Sequence, residues 1–108
     1  MSIPISPDDL ERAAEGRSWV FLVTSSSEPA HVVSLAVDWS GGGVMRLAVG
    51  EGRAARNIAA GSSPVAVFPP GGSGERANYS IIVDGTASLE DGLLTITPTG
   101  AMWHRPAR

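Results

Sequence analysis

Glycine and proline interrupt this chain so often that neither a long helix nor a helical bundle is expected. The 108 residues include 13 glycines and eight prolines, and both residue types break regular structure and favour turns. Short apolar runs lie between these breaks, which is the pattern of short strands. At 43% apolar and 18% charged residues the composition is that of a globular protein. The chain therefore predicts one mainly β domain spanning residues 1–108.

Six segments are predicted to be strands. Segment 31–39 (HVVSLAVDW) alternates most regularly, with Val33 and Leu35 on one face and Val32 and Ser34 on the other. The other segments are apolar runs bounded by Gly, Pro or Ser turns. Six short strands at this spacing predict a small barrel or sandwich. The predicted strands cover residues 19–24, 31–39, 44–49, 65–68, 79–89 and 93–97.

The fifth predicted strand has two interpretations. The pair Asp84-Gly85 between apolar runs is typical of a type I′ hairpin turn, which would divide the segment into two strands. The alternation also continues through the pair if Gly85 forms a β-bulge. A turn is predicted over residues 25–29, and a mobile loop over residues 71–78.

Two short helices are predicted. The first begins at Ser6, a good N-cap that Pro7 follows at the first helical position, and it ends at Gly16. The second helix covers residues 53–60 (RAARNIAA) and ends at Gly61.

The second helix carries the main candidate site. Arg53, Arg56 and Asn57 share one helix face because they lie at positions i, i+3 and i+4. Arg53 stands in the first turn, where the helix dipole disfavours a cation by about 0.3–1 kcal/mol. An anionic ligand held by the arginines and the free N–H groups of the helix start would offset this cost. Pairing of Glu51 with either arginine on a solvated surface is the alternative.

Other polar and aromatic residues give weaker indications. Ser34 could donate to a ligand or be satisfied by backbone, and Trp103 could cover a flat ligand or pack on a partner chain. The two histidines, His31 and His104, do not have metal-ligand spacing, so no metal site is predicted. A Ser34–His104–Asp38 triad lacks a nucleophile-elbow motif, so no catalytic residue is assigned.

Composition excludes several classes of function. A net charge of −3 gives no electrostatic footprint for nucleic acid or an anionic membrane. The absence of cysteine excludes disulfides and thiolate chemistry. The N-terminal MSIPISPDDL lacks the pattern of a signal peptide, and no apolar segment approaches the roughly 18 residues of a membrane span. A cytoplasmic protein without nucleic-acid or membrane partners is expected.

The order of these segments resembles the flavin-binding split-barrel superfamily, the relatives of pyridoxamine 5′-phosphate oxidase. The resemblance covers about residues 19–97, and its most specific part is RAARN followed by a Gly-Ser-Ser-Pro turn and a short apolar strand. The segment VDGTASL is the second marker. The tail TPTGAMWHRPA is similar to short actinobacterial-type members.

This resemblance implies a six-stranded antiparallel split barrel, with one helix between the third and fourth strands and another at the N-terminus. It also implies a homodimer with a flavin, FMN, at the subunit interface, and oxidoreductase activity on a small-molecule substrate of unknown identity. Arg53 and Arg56 would hold the phosphate, and Asn57 would fix the turn or a ligand oxygen. Trp103 and His104 would lie at the edge of the substrate or cofactor. The residues bordering the flavin would be Val33, Ser34, Leu47, Ala48 and Val49.

Two departures from the family pattern keep alternatives open. Ala54 stands where many relatives have Lys, Thr or Ser, and the chain lacks the C-terminal substrate-binding extension of the true oxidases. Pyridoxamine phosphate is therefore not the expected substrate. A deazaflavin coenzyme or haem could replace FMN, and a non-catalytic carrier or sensor, or a dimer without cofactor, is also compatible with the sequence.

Overall fold

The computed structural model describes residues 2–26 and 29–106. Within these residues the chain forms eight strands, two α-helices and one 3₁₀ turn. Helix α1 (Leu10–Ala13) follows the 3₁₀ turn (Pro7–Asp9), and helix α2 (Arg53–Ala59) lies between the fifth and sixth strands. The strands are β1 (Ser2–Ile5), β2 (Trp19–Thr24), β3 (His31–Ala36), β4 (Asp38–Trp39), β5 (Met45–Ala48), β6 (Val65–Phe68), β7 (Ser80–Glu90) and β8 (Leu93–His104).

All described strands belong to one antiparallel sheet with the order β3-β2-β6-β7-β8-β5-β4, and β1 pairs with the C-terminal part of β8. Although β3 and β5 stand near opposite ends of this order, they contact each other. The sheet therefore curls into a half-barrel with one concave, buried face.

The core consists of the side chains that point into this curl. Leu10 of α1 is fully buried at the barrel and Ala54 of α2 is nearly so. Phe68 is fully buried and stacks on Trp39 with ring centroids 5.9 Å apart. Burial of these apolar surfaces is the dominant force that favours folding. Core side chains from the strands are Ile5, Val20, Leu22, Met45, Leu47, Ala66, Phe68, Ile81, Val83, Leu94 and Ile96.

The predicted fold class is confirmed, but the described residues form eight strands where the sequence predicted six. All six predicted segments form strands. The predicted second strand breaks at Val37 into β3 and β4. The last strand was expected to end at Pro98, yet β8 continues to His104 and offers an edge to β1. Pro98 is tolerated inside β8 because it lies beside a bulge, where the regular ladder is interrupted.

The bulge decides between the two interpretations of Asp84-Gly85. Asp84 pairs with Gly100 and Gly85 pairs with Pro98, so Thr99 is the extra residue of β8. β7 runs through the Asp-Gly pair without a turn, and the hairpin interpretation is wrong. A Cβ at position 85 would collide with the Thr97 carbonyl oxygen, which explains the glycine.

The N-terminal helix is shorter than predicted. The chain does turn at Ser6, whose carbonyl accepts from the Asp9 N–H at 2.9 Å, but the Ser6 side chain makes no capping hydrogen bond. Only four residues then become α-helical. The predicted turn at 25–29 includes residues 27 and 28, which lie outside the described residues, as does residue 107 at the end of the predicted tail. No helix in the described ranges is long and apolar enough to cross a membrane.

Candidate functional site

Helix α2 presents one buried face and one exposed face. It begins after Gly52, whose backbone is extended, and runs for seven residues. Ala54, Ala55 and Asn57 are buried as the helix packs against β2, β3 and β7. Arg56 is exposed. The small side chains therefore let the helix approach the sheet closely while the arginine faces outward.

Asn57 connects α2 to the sheet. Its side-chain nitrogen donates to the hydroxyl of Thr24 on β2 at 3.1 Å, and both residues are buried. Its backbone carbonyl accepts from the N–H of Ser62 at 3.0 Å, just beyond the helix end. Of the two predicted roles, fixing the turn matches these contacts, because the amide nitrogen is used inside the protein.

The two arginines have different environments. Arg53 is half-buried and donates from Nη2 to the carbonyl of Pro29 at 2.7 Å, which links α2 to the loop between β2 and β3. Arg56 donates from Nη1 to the backbone carbonyl of Glu51 at 3.4 Å. Within the described part of the chain, no carboxylate lies within 4.0 Å of the Arg56 guanidinium. The surface ion pair considered for Glu51 and Arg56 is therefore not formed.

The loop before α2 is held by the β7–β8 turn. The Gly92 carbonyl accepts from the N–H groups of Val49 and Gly50 at 2.9 and 3.0 Å. A Cβ on Gly92 would lie 3.1 Å from Gly50 Cα, and Gly92 also has a φ of +76°. The sequence alone did not predict this contact, because it joins segments that are distant along the chain.

The predicted strand residues divide between the two faces of the sheet. Ser34 and Ala48 are exposed on the convex face, on strands that contact each other. Leu47 is fully buried in the core, and Val33 and Val49 are half-buried against it. The Leu47 side chain therefore faces away from any ligand on the convex face, so Ser34 and Ala48 are the two strand candidates whose side chains such a ligand can reach.

Trp103 and His104 lie where β8 pairs with both β1 and β7. Trp103 is opposite Ile3 and Ile81. The Nδ1 atom of His104 is 3.4 Å from the hydroxyl of Ser2. The ring contact of His104 is thus with β1 and not with the other members of the triad considered above. In residues 2–26 and 29–106 no cluster of three or more His, Asp or Glu side chains could hold a metal ion.

Arg17 is a buried cation that sequence reasoning did not single out. It is 9% exposed and donates to the carbonyls of Tyr79, Arg76 and Pro69 at 2.6, 2.8 and 3.3 Å. Burial lowers the pKa of Arg17 from its usual value because the charged form loses hydration. Arg17 therefore holds the loop 71–78, which the sequence predicted to be mobile, against the barrel. It does so through Arg76 within the loop and through Pro69 and Tyr79 on either side of it.

No protein-family model and no curated protein matches this sequence. Three solved structures share its fold over nearly the whole length of both chains. A FAD-binding protein from Mesorhizobium loti has a TM-score of 0.69 at 14% identity, covering 97% of this chain and 98% of its own. The FAD-binding protein from Mycobacterium smegmatis has a TM-score of 0.65 at 12% identity, with coverage of 97% and 100%.

A candidate pyridoxamine 5′-phosphate oxidase from Corynebacterium glutamicum has a TM-score of 0.65 at 11% identity, covering 99% of this chain and 96% of its own. At such low identities these likenesses concern the fold. They confirm the architecture that the sequence resemblance implied. The chain has the split-barrel fold that these FAD-binding and pyridoxamine 5′-phosphate oxidase-like proteins share.

Proposed function

We propose that this chain binds a flavin nucleotide on the convex side of its barrel, with the phosphate held by Arg53 and Arg56. The observation that carries the proposal is the position of these two arginines on α2, in a fold shared over its full length with FAD-binding proteins. The exposed side chains of Ser34 and Ala48 would border the rest of the ligand.

The donor groups suit a phosphate. Guanidinium groups bind phosphate oxygens with charge-assisted hydrogen bonds. The Arg53 side chain is held in place by Pro29, whereas Arg56 has an exposed charge and a long hydrogen bond that a ligand can replace. A Cβ added at Gly50 or Gly52 would meet nothing within 4 Å, so a ligand can approach this backbone.

The chemistry would come from the cofactor. A bound flavin supplies hydride or electron transfer, while the protein binds and orients it. The arginines would neutralise the phosphate, and the Ser34 hydroxyl could donate to a polar group of the ligand. We propose FMN because the two α2 arginines would together hold a single phosphate group. Oxidoreductase activity on a small molecule is part of this proposal, and a flavin, deazaflavin or haem carrier is the alternative.

We also propose that a second copy of the chain covers the apolar convex face of β2 and its neighbours. Trp19, Phe21 and Val32 are 41%, 39% and 53% exposed there, and the rings of Trp19 and Phe21 meet edge-to-face at 4.9 Å. Directly opposed residues extend this surface across the sheet. The resulting row, here called the convex row, is Ser34, Phe21, Val67, Ile82 and Met102. Contiguous apolar surface of this kind marks interaction sites more often than scattered exposed residues do.

The experiment for the flavin proposal compares FMN with riboflavin, which has the same ring but no phosphate. Quenching of flavin fluorescence measures both affinities on the wild type and on Arg56→Ala. The variant should weaken FMN binding about tenfold and leave riboflavin binding unchanged. Arg46→Ala, an exposed arginine on β5, is the matched control. Failure of the wild type to bind FMN, or equal losses in the two variants, contradicts the proposal.

A second measurement addresses activity. Protein loaded with FMN is mixed with a reduced nicotinamide and an electron acceptor, and donor oxidation is followed by absorbance. Turnover above that of free FMN supports an oxidoreductase. Tight binding without turnover favours the carrier. Parallel titrations with FAD, a deazaflavin and haem identify the preferred ligand.

A further inference from the structure

A second concave site lies away from α2. It is an open groove of about 810 Å³ between the N-terminal segment and the loop that connects β6 to β7. Small-molecule sites commonly measure about 300–1,000 Å³. Residues from β1, α1, the glycine-rich loop and β8 line this groove, and no described residue of α2, β3 or β5 does. It is therefore separate from the proposed flavin phosphate site.

The aromatic surface of the groove is provided by Trp103. The Arg76 guanidinium carbon lies 5.3 Å from the centroid of the Trp103 ring, and Arg76 is exposed and lines the groove. Tyr79 packs edge-on against the same ring at 6.3 Å. A planar ligand in the groove would meet the Trp103 indole and the Arg76 guanidinium, both of which stack well on aromatic rings.

The buried Arg17 provides a second positive charge near the Trp103 ring. The buried Arg17 guanidinium carbon is also 5.3 Å from the Trp103 ring centroid. Its hydrogen bonds go to three neutral carbonyl oxygens, and within residues 2–26 and 29–106 no carboxylate lies within 4.0 Å of it. Buried charges usually have a counter-ion. Arg17 does not itself line the groove, but an anion bound next to Trp103 would act as its counter-ion from the other side of the lining.

Three acidic residues, Asp9, Glu15 and Glu75, also line the groove. Asp9 is occupied by Arg12, which it pairs with at 3.2 Å. Glu15 and Glu75 are exposed and line the groove. These two solvated carboxylates oppose an anion, whereas the guanidinium groups of Arg17 and Arg76 lie at the aromatic ring. The favourable position for a negative group is therefore next to Trp103.

We propose that this groove binds a small planar aromatic carboxylate, with its ring against Trp103 and Arg76 and its carboxylate facing the guanidinium groups. The site is distinct from the proposed flavin site, because its lining includes none of Arg53, Arg56, Ser34 and Ala48. Trp103, which the resemblance put at the cofactor edge, is here assigned to the groove. The aromatic ring of the ligand would supply the contact area, and its carboxylate charge would make the groove prefer it to neutral or cationic analogues.

The probe is 2-naphthoate, compared with the neutral 2-naphthylmethanol and the cationic 2-naphthylmethylammonium. The indole N–H signals of the three tryptophans are followed by NMR, and Trp103→Phe assigns the relevant signal. Naphthoate should shift the Trp103 signal at lower concentration than either analogue does. Equal binding of the three probes, or shifts confined to Trp19 or Trp39, would overturn the proposal.

Variants of the charged groove residues test how much electrostatic attraction contributes to naphthoate binding. Arg76→Ala should weaken naphthoate binding by roughly three- to tenfold, whereas the exposed-arginine control Arg46→Ala should not change it. Glu75→Gln should strengthen binding because it removes an opposing charge. An unchanged affinity in Arg76→Ala overturns the proposal. Displacement of naphthoate by FMN would also overturn it, because the groove would then not be a separate site.

Discussion

The side-chain amide of Asn57 donates a hydrogen bond of 3.1 Å to the hydroxyl of Thr24, and both residues are buried. This bond joins α2 to β2, so the helix that carries Arg53 and Arg56 is fixed from the interior. The bond from Arg53 to the Pro29 carbonyl is a second connection on the surface. The geometry of the candidate phosphate site thus depends on residues that need not touch the ligand.

Asn57→Ala should lower the free energy of unfolding by about 1–3 kcal/mol, because it leaves the buried Thr24 hydroxyl without its donor. Urea unfolding followed by tryptophan fluorescence measures the change. Asn78→Ala, at an exposed position of the same residue type, should cost less than about 0.5 kcal/mol. Thr24→Val, made in the wild type and in Asn57→Ala, completes a double-mutant cycle for this hydrogen bond. Equal effects of Asn57→Ala and Asn78→Ala would show that the buried bond contributes nothing.

Arg17→Met should destabilise the protein by about 3 kcal/mol, because three carbonyl oxygens lose a charged donor and the methionine offers no replacement. Thermal unfolding measures this effect. The N–H of Gly71, which donates to Ala77 at 2.8 Å, should exchange faster with solvent as the loop loosens.

Arg12→Met is the control for Arg17. Arg12 is an exposed member of a surface ion pair with Asp9, and its loss should cost less than about 1 kcal/mol. If both variants behave alike, or if Gly71 exchange is unchanged in Arg17→Met, Arg17 does not hold the loop.

Gly85→Ala should lower stability by about 2 kcal/mol or more. Its Cβ would collide with the Thr97 carbonyl oxygen, which is backbone, and would lie 2.9 Å from Ile96 Cγ2. Gly100→Ala is the matched control on the facing strand, because a Cβ there meets nothing within 4 Å. Urea midpoints compare the two variants, and a tolerated alanine at position 85 would argue against the close approach at the bulge.

Phe21→Lys should convert a dimer into a monomer, because it places a charge within the convex row. Sedimentation equilibrium across micromolar concentrations measures the association. Ser88→Lys adds the same side chain at an exposed position of β7 outside that row, and it should leave the dimer intact. A monomeric wild type, or a Phe21→Lys variant that still dimerises with unchanged affinity, would refute the proposed interface.

Local patterns in the sequence were sufficient to predict α2 and the six main strands. Gly61, for example, has a φ of +101°, which explains why the helix ends before it. Alternation in segment 31–39 correctly placed Val33 and Leu35 on the same face, and the structure packs that face against the core. It did not predict the break at Val37, because strand bending depends on what the chain packs against.

The site was only partly predictable. The spacing of Arg53, Arg56 and Asn57 predicted one shared helix face, and the resemblance assigned it a ligand. The structure separates the three, because Asn57 is buried against β2 and Arg56 is exposed. Neither the spacing nor the resemblance revealed that Leu47 points into the core. Arg17 gave no signal at all, since its partners lie 52 to 62 residues away.

The frequent glycine and proline residues therefore determined that this chain is a β protein with short elements. Glycine has a freer backbone and proline lacks an N–H donor, and both effects end regular structure locally. Tertiary structure decided how those elements close. Ser2 lies opposite His104, 102 residues later, and that pairing converts a predicted tail into the strand that carries Trp103. Such contacts arise from burial and edge pairing across the whole chain, and no local pattern encodes them.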